Sequence, residues 1–158
     1  MIPEKVRKVL DAHGLRAIEF EQGSTATSVL AAEKLGVAVG QIAKSLLFVG
    51  KDGRRFLLLA PGDRRVSSSK LKAAVGVKVR MADPAETLAA TGYAVGGVCP
   101  FGMDPGIAVL IDRSLSQYGT VYPAAGNDAS GVPMSYAQLV AVTGGAEGDF
   151  LSDGDPER

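Results

Sequence analysis

Residues 41–50, QIAKSLLFVG, constrain this chain more than any other stretch. Leu46, Leu47, Phe48 and Val49 form a short apolar run of the kind that makes a strand. Alternation sets Ile42, Lys44, Leu46 and Phe48 on one face and Ala43, Ser45, Leu47 and Val49 on the other. Both faces are apolar, so the strand is predicted to be covered on both sides. Lys44 breaks this pattern. A buried ammonium without a partner costs several kcal/mol or shifts its pKa strongly. The fold must therefore give Lys44 a cavity, an anion or a way out to water. The strand alone leaves two readings open: a lysine that snorkels from the strand end, and a cation kept for a ligand.

The rest of the chain reads as short elements around that strand. Residues 3–13 predict an amphipathic helix with Val6, Val9 and Leu10 inward, ended by Gly14. A short strand at 17–21 follows. The next helix covers 26–35, capped by Ser24, Thr25 or Thr27, with Val29, Leu30, Ala32 and Leu35 facing inward. A Lys-Asp-Gly turn at 51–53 joins the Lys44 strand to FLLLA at 56–60 as an antiparallel hairpin. Ser67–Ser69 precede a short helix ending at Gly76, and a strand is predicted at 77–81. Asp83 caps a helix at 84–90, with Pro84 in its first position. Strands are predicted at 107–112, 120–126 and 132–135, and a helix at 136–143. The pattern is α+β: a mixed, mainly antiparallel sheet surrounded by short helices. One domain is expected over 1–146, followed by an acidic, frayed tail over 147–158.

Composition excludes several classes of function. The first residues, MIPEKVRKVLDAHG, have charges throughout and no apolar segment, so they do not read as a signal peptide. No apolar run is long enough to span a membrane, and a cytoplasmic location is expected. One cysteine and one histidine rule out an internal disulfide and a typical zinc site. The formal net charge is zero but unevenly spread. Residues 51–80 carry nine basic against two acidic side chains, a net of +7, and the tail from Glu147 carries one against five, a net of −4. A basic centre of this kind either contacts a polyanion or simply solvates a hairpin and a helix.

The second unusual stretch is GYAVGGVCPFGMDPG at 92–106. Gly96 and Gly97 permit close backbone approach, so that successive N–H groups could converge on an oxygen. Pro100 holds Cys99 extended. The loop has neither the lysine nor the Ser/Thr of a phosphate loop, and it is not a GxGxxG fingerprint. It reads either as an oxyanion cradle or as a tight connection that needs small residues. Cys99 has no histidine near it in sequence to act as a base, and His13 reads as a helix-end residue. Chemistry here would rest on positioning and backbone electrostatics.

Taken together, QIAKSLLF at 41–48, PGDRRV at 61–66, KLKAAVG at 70–76, MADPAE at 81–86 and TGYAVGGVCPFG at 91–102 resemble the YbaK-type family. That family is related to the editing domain of bacterial prolyl-tRNA synthetases. The resemblance runs from about residue 3 to 145, and its most specific parts are the strand lysine and the later Gly-x-x-x-Pro loop. It implies a free-standing aminoacyl-tRNA deacylase. Such an enzyme cuts the ester between a wrong amino acid and the 3′-terminal adenosine, often of tRNA for proline. The tRNA's own vicinal hydroxyl assists, and no metal or other cofactor is implied. Lys44 matches the family's required lysine. Gly96, Gly97, Val98, Cys99, Pro100 and Phe101 match its substrate loop, with Thr25 and Ser45 as further substrate-binding candidates. Arg64, Arg65, Lys70 and Lys72 are candidate acceptor-stem contacts. Partners implied are aminoacyl-tRNA and prolyl-tRNA synthetase. Residues 126–135, GNDASGVPMS, lack the acidic, glycine-rich pattern associated with the cysteine-removing branch and offer Asn127, Asp128 and Ser130. Alanine is therefore favoured over cysteine. A non-catalytic module of the same fold, binding aminoacyl or nucleotide ends or a synthetase, is the rival reading.

Overall fold

The computed structural model describes residues 1–153. A five-stranded sheet runs in the order β4-β2-β3-β5-β7. Its core is the hairpin of β2 (Ala43–Gly50) and β3 (Arg55–Pro61), antiparallel from Ala43↔Pro61 to Val49↔Arg55. β4 (Val79–Met81) adds an antiparallel edge against Phe48–Gly50. On the other side β5 (Ile107–Asp112) and β7 (Ala146–Gly148) continue the sheet in parallel. A separate two-residue antiparallel ladder joins β1 (Ile18–Glu19) to β6 (Ser130–Gly131). The sheet is thus mixed, with most pairings antiparallel.

The central position of β3 explains its unbroken apolar sequence, because both of its faces are covered. Leu57 and Leu59 pack with Val6 and Leu10 of α1 (Glu4–Ala12) and Leu139 of α5 (Tyr136–Thr143). Phe56, Leu58 and Ala60 point the other way, onto Leu71 of α3 (Ser68–Val75) and onto Phe150 and Leu151. β2 follows the same division, with Ala43 and Leu47 in the first cluster and Leu46 and Phe48 in the second. Thr27 caps α2 (Ser28–Leu35), its side chain accepting from the Leu30 N–H. Asp83 and Glu86 form a reciprocal capping box on α4 (Pro84–Thr91).

Three expectations are corrected. The stretches 120–126 and 132–135 are not strands, and only the bridges Ile42↔Tyr122 and Val121↔Met134 form there. Pro123 and Pro133 have no N–H, so neither segment can extend a ladder. In α2 the buried face is Ala31 and Ala32, whereas Val29 and Leu30 are exposed to 37% and 40%. The tail is not frayed from residue 147. β7 pairs with β5, and Phe150 and Leu151 are buried in the second cluster. Two apolar side chains among the acidic residues hold it down. Residues 154–158 of that expected tail lie outside the described residues.

Candidate active site

β4 pairs with only the last three residues of β2, which leaves the first half of β2 with an open edge. At one end of that edge the Ala43 N–H donates to Tyr122 O at 3.1 Å; at the other, Leu47 O accepts from the Ala82 N–H at 2.9 Å. Strand alternation turns the Ser45 N–H and C=O to the same side, between those two ties. A cavity of about 250 Å³ lies along this edge. Its walls come from α2 (Ala31, Leu35), β2 (Ala43 to Leu47), Val95, Gly96 and Val98 of the glycine-rich loop, and Tyr122 and Ala124. This volume falls below the ~300–1,000 Å³ of pockets for drug-sized ligands. It is large enough for a small ligand group.

Of the residues singled out in the sequence, Thr25, Lys44, Ser45, Gly96 and Val98 meet at this cavity. Lys44 is half-buried, and its Nζ donates to Arg64 O at 2.7 Å. Ser45 Oγ is buried with no hydrogen-bond partner among the described residues. Thr25 is buried and ties two loops together. Its N–H donates to Asp128 O at 2.7 Å, and its Oγ1 accepts from the Ser130 N–H at 3.1 Å. Asn127 and Asp128 serve the same tie: Asn127 Oδ1 accepts from Ser130 Oγ, and Asp128 Oδ1 from the Gly23 N–H. Of the Asn127, Asp128 and Ser130 trio, Ser130 alone is among the cavity-lining residues.

The second half of the glycine-rich loop does not line the cavity. Gly97, Cys99, Pro100 and Phe101 are buried, with Cys99 and Phe101 in the main core. Gly96 has φ +98°, and a Cβ there would sit 3.1 Å from Ala26 O. At Gly97 a Cβ would come within 2.6 Å of Asn127 Cα. The loop therefore needs glycine for its close approach to residues 126–130. It does not form the expected cradle at Gly97, whose N–H donates to Ala94 O at 3.0 Å. The open edge of β2 at Ser45 is where the structure directs a backbone donor into the cavity instead. The apolar walls, such as Ala31, Leu35 and Tyr122, carried no sequence signal separating them from ordinary core.

Cys99 is not built for nucleophilic work. It is fully buried, donates weakly to Phe101 O at 3.9 Å, and burial pushes its thiol up to about 12. Cys99→Ser is expected to keep the turnover of this site within about threefold, whatever its substrate, since the bond to Phe101 O is retained; a dead variant would show that the thiol takes part. The linkage has a definite sign. The folded pKa lies above the unfolded one, so this contribution to stability is complete below about pH 8.5 and is lost as pH rises toward 12. Alkaline unfolding of Cys99→Ala is expected to show a shallower slope over that window. An identical slope in the wild type would remove the thiol from the account.

Several basic residues of 51–80 are engaged within the chain. Arg54 pairs with Asp52, and Arg80 makes two 2.7 Å bonds to Glu86, holding that carboxyl down at about 2. Arg64 donates to Ser152 O and Lys70 to Leu151 O. Arg65 and Lys72 are exposed. Among the described residues no group of three His, Cys, Asp or Glu comes together as a metal site, and no helix is long and apolar enough to cross a membrane.

Residues 22–142 match the family model of the aminoacyl-tRNA editing domain. YwhH of Bacillus subtilis is 41% identical over 121 residues, covering 77% of this chain and 76% of that protein. The "Putative Cys-tRNA(Pro)/Cys-tRNA(Cys) deacylase EbsC" of Enterococcus faecalis is 30% identical over 115 residues, covering 72% and 70%. A proline–tRNA ligase of Thermosipho africanus is 38% identical over 92 residues, 58% of this chain but 15% of the ligase. A solved structure described as "a putative trans-editing enzyme for prolyl tRNA synthetase" superposes with a TM-score of 0.86 at 35% identity, covering 96% of each chain. The matched model covers most of the chain and includes every cavity residue named above, so the chain belongs to the aminoacyl-tRNA editing-domain family.

Proposed function

We propose that this chain hydrolyses the ester joining a small amino acid to the 3′-terminal adenosine of a tRNA, with alanine on tRNA for proline as the favoured substrate. The observation that carries the reading is the cavity itself, which sets Lys44 and the Ser45 edge beside small apolar walls such as Ala31, Ala43 and Ala124. An aminoacyl ester is already activated, so no protein nucleophile is required. Water adds to the carbonyl carbon, the carbon–oxygen bond to the ribose breaks, and the ribose oxygen takes a proton. In this reading the Ser45 N–H binds the developing oxyanion. Lys44 anchors an oxygen or phosphate of the terminal nucleotide. The aminoacyl group enters the cavity, with the terminal nucleotide lying toward Lys44.

A second reading, removal of cysteine, is favoured by the name of the Enterococcus faecalis relative. An apolar pocket separates substrates that differ by one small group by only about 1–3 kcal/mol, so both esters should react and the ratio decides. Purified protein is expected to release alanine from alanyl-tRNA for proline fastest among the alanyl, cysteinyl, seryl and threonyl forms. Faster loss of cysteine would select the second reading. Ester loss no faster than in buffer for all four would leave a binding module without turnover.

A further inference from the structure

We propose that Phe150–Ser152 and Arg64 form a positioning element for Lys44, acting through the Arg64 carbonyl. This rests on the deacylase reading for its kinetic arm, though not for its chemical one. The Lys44 stem is long and flexible, so the place of its ammonium depends on what the ammonium donates to, and Arg64 O at 2.7 Å is one such partner. The loop that presents this carbonyl is held in large part by the C-terminal segment. The Ser67 N–H donates to Phe150 O at 2.8 Å, and the Ser152 N–H to Arg65 O at 2.9 Å. The Arg64 guanidinium donates to Ser152 O at 3.1 Å, and Val66 bridges Leu151.

The segment is itself anchored in the sheet. The Phe150 N–H donates to Asp112 Oδ1 at 2.8 Å, and Asp112, at the end of β5, is 2% exposed. Phe150 and Leu151 fill the same apolar cluster as Phe56 and Leu58 of the hairpin. A continuous tie therefore runs from Asp112 through Phe150–Ser152 and Arg64 to the ammonium of Lys44. The matched family model ends at residue 142, so this tie comes from a part of the chain beyond it. It also gives Arg64 a different role from an acceptor-stem phosphate contact, and the two roles separate experimentally.

The variants are Arg64→Ala, which cuts the tie at its side chain, and Ser152→Pro, which removes the N–H bonded to Arg65 O, with Arg64→Lys as the conservative control. Single-turnover deacylation by either disruptive variant is expected to fall about ten- to hundredfold, as misplacing a catalytic group does. The double variant should fall little further, because both cuts act on one carbonyl. Arg64→Lys should recover part of the rate. The Kd for uncharged tRNA should stay within about twofold and its salt dependence should be unchanged. In parallel, acetylation of Lys44 by a soluble acylating reagent, followed by peptide mass spectrometry against the exposed Lys34, should speed up severalfold in both variants. An intact rate with weaker tRNA binding and a shallower salt slope would overturn the proposal in favour of a phosphate contact. Unchanged Lys44 labelling in both variants would overturn it as well. Faster labelling in a protein whose wild type hydrolyses nothing would uphold the tie and remove the deacylase reading instead.

Discussion

Lys44→Ala is expected to lower single-turnover deacylation by about a hundredfold, the loss typical when a group that positions the substrate is removed. Its fold should survive. Lys44 is half-buried at the cavity wall, and the methylenes lost belong to neither large core cluster. A Tm change below about 4 °C is expected, equivalent to roughly 1 kcal/mol in a domain of this size. Lys44→Arg should not rescue the rate. The guanidinium is a wide planar fork, and it cannot reproduce the point-like ammonium that donates to the Arg64 carbonyl at 2.7 Å. Rates measured on alanyl-tRNA for proline, beside thermal melts of the same preparations, check both halves. An unchanged rate would return Lys44 to the role of a snorkelling lysine tied to Arg64 O.

Gly97→Ala should be nearly as damaging by a different route. The added Cβ would lie 2.6–2.8 Å from the Cα, C and N atoms of Asn127, which are backbone and cannot swing aside. The glycine-rich loop and residues 126–130 would have to separate. Overpacking of this kind costs about 1–3 kcal/mol. Since Gly96 and Val98 on one side and Ser130 on the other line the cavity, the separation should also cost activity, about a hundredfold. Gly53→Ala is the control. Gly53 has φ +88° and nothing within 4 Å of an added Cβ, so it should lose about 1–2 kcal/mol in stability from backbone strain alone and nothing in rate. Equal rates for Gly97→Ala and wild type would mean that the loop does not shape the site.

Much of this was legible in the sequence because the signals are local. The alternation of QIAKSLLF set Lys44 and Ser45 on opposite faces of β2, and the two core clusters divide along that line. The helix start at Asp83 follows from a capping side chain that names its own position, and Thr27 was one of three candidates for the cap of α2. What failed was non-local. Nothing near Phe150 indicates that it meets Asp112, 38 residues earlier, and a run of acidic residues disguised a buried segment. The strand predicted at 120–126 had the right composition and the wrong backbone, with Pro123 in its middle. The glycine-rich loop was recognisable as special, and its Gly96 and Val98 line the cavity. The close approach of Gly97 to the Asn127 backbone carried no local signal.

The tie between Arg64 and Ser152 spans 88 residues of sequence. During synthesis the hairpin and Lys44 emerge long before residue 152 does, and domains are completed as the chain leaves the ribosome at roughly 5–20 residues per second. For about 1–4 seconds, the time needed to add the chain from Ser130 to Ser152, a nascent chain would carry the lysine and the cavity walls without the segment that fixes the Arg64 carbonyl. If that segment places the ammonium, the site would stay incomplete in the growing chain until residues 150–152 are in place.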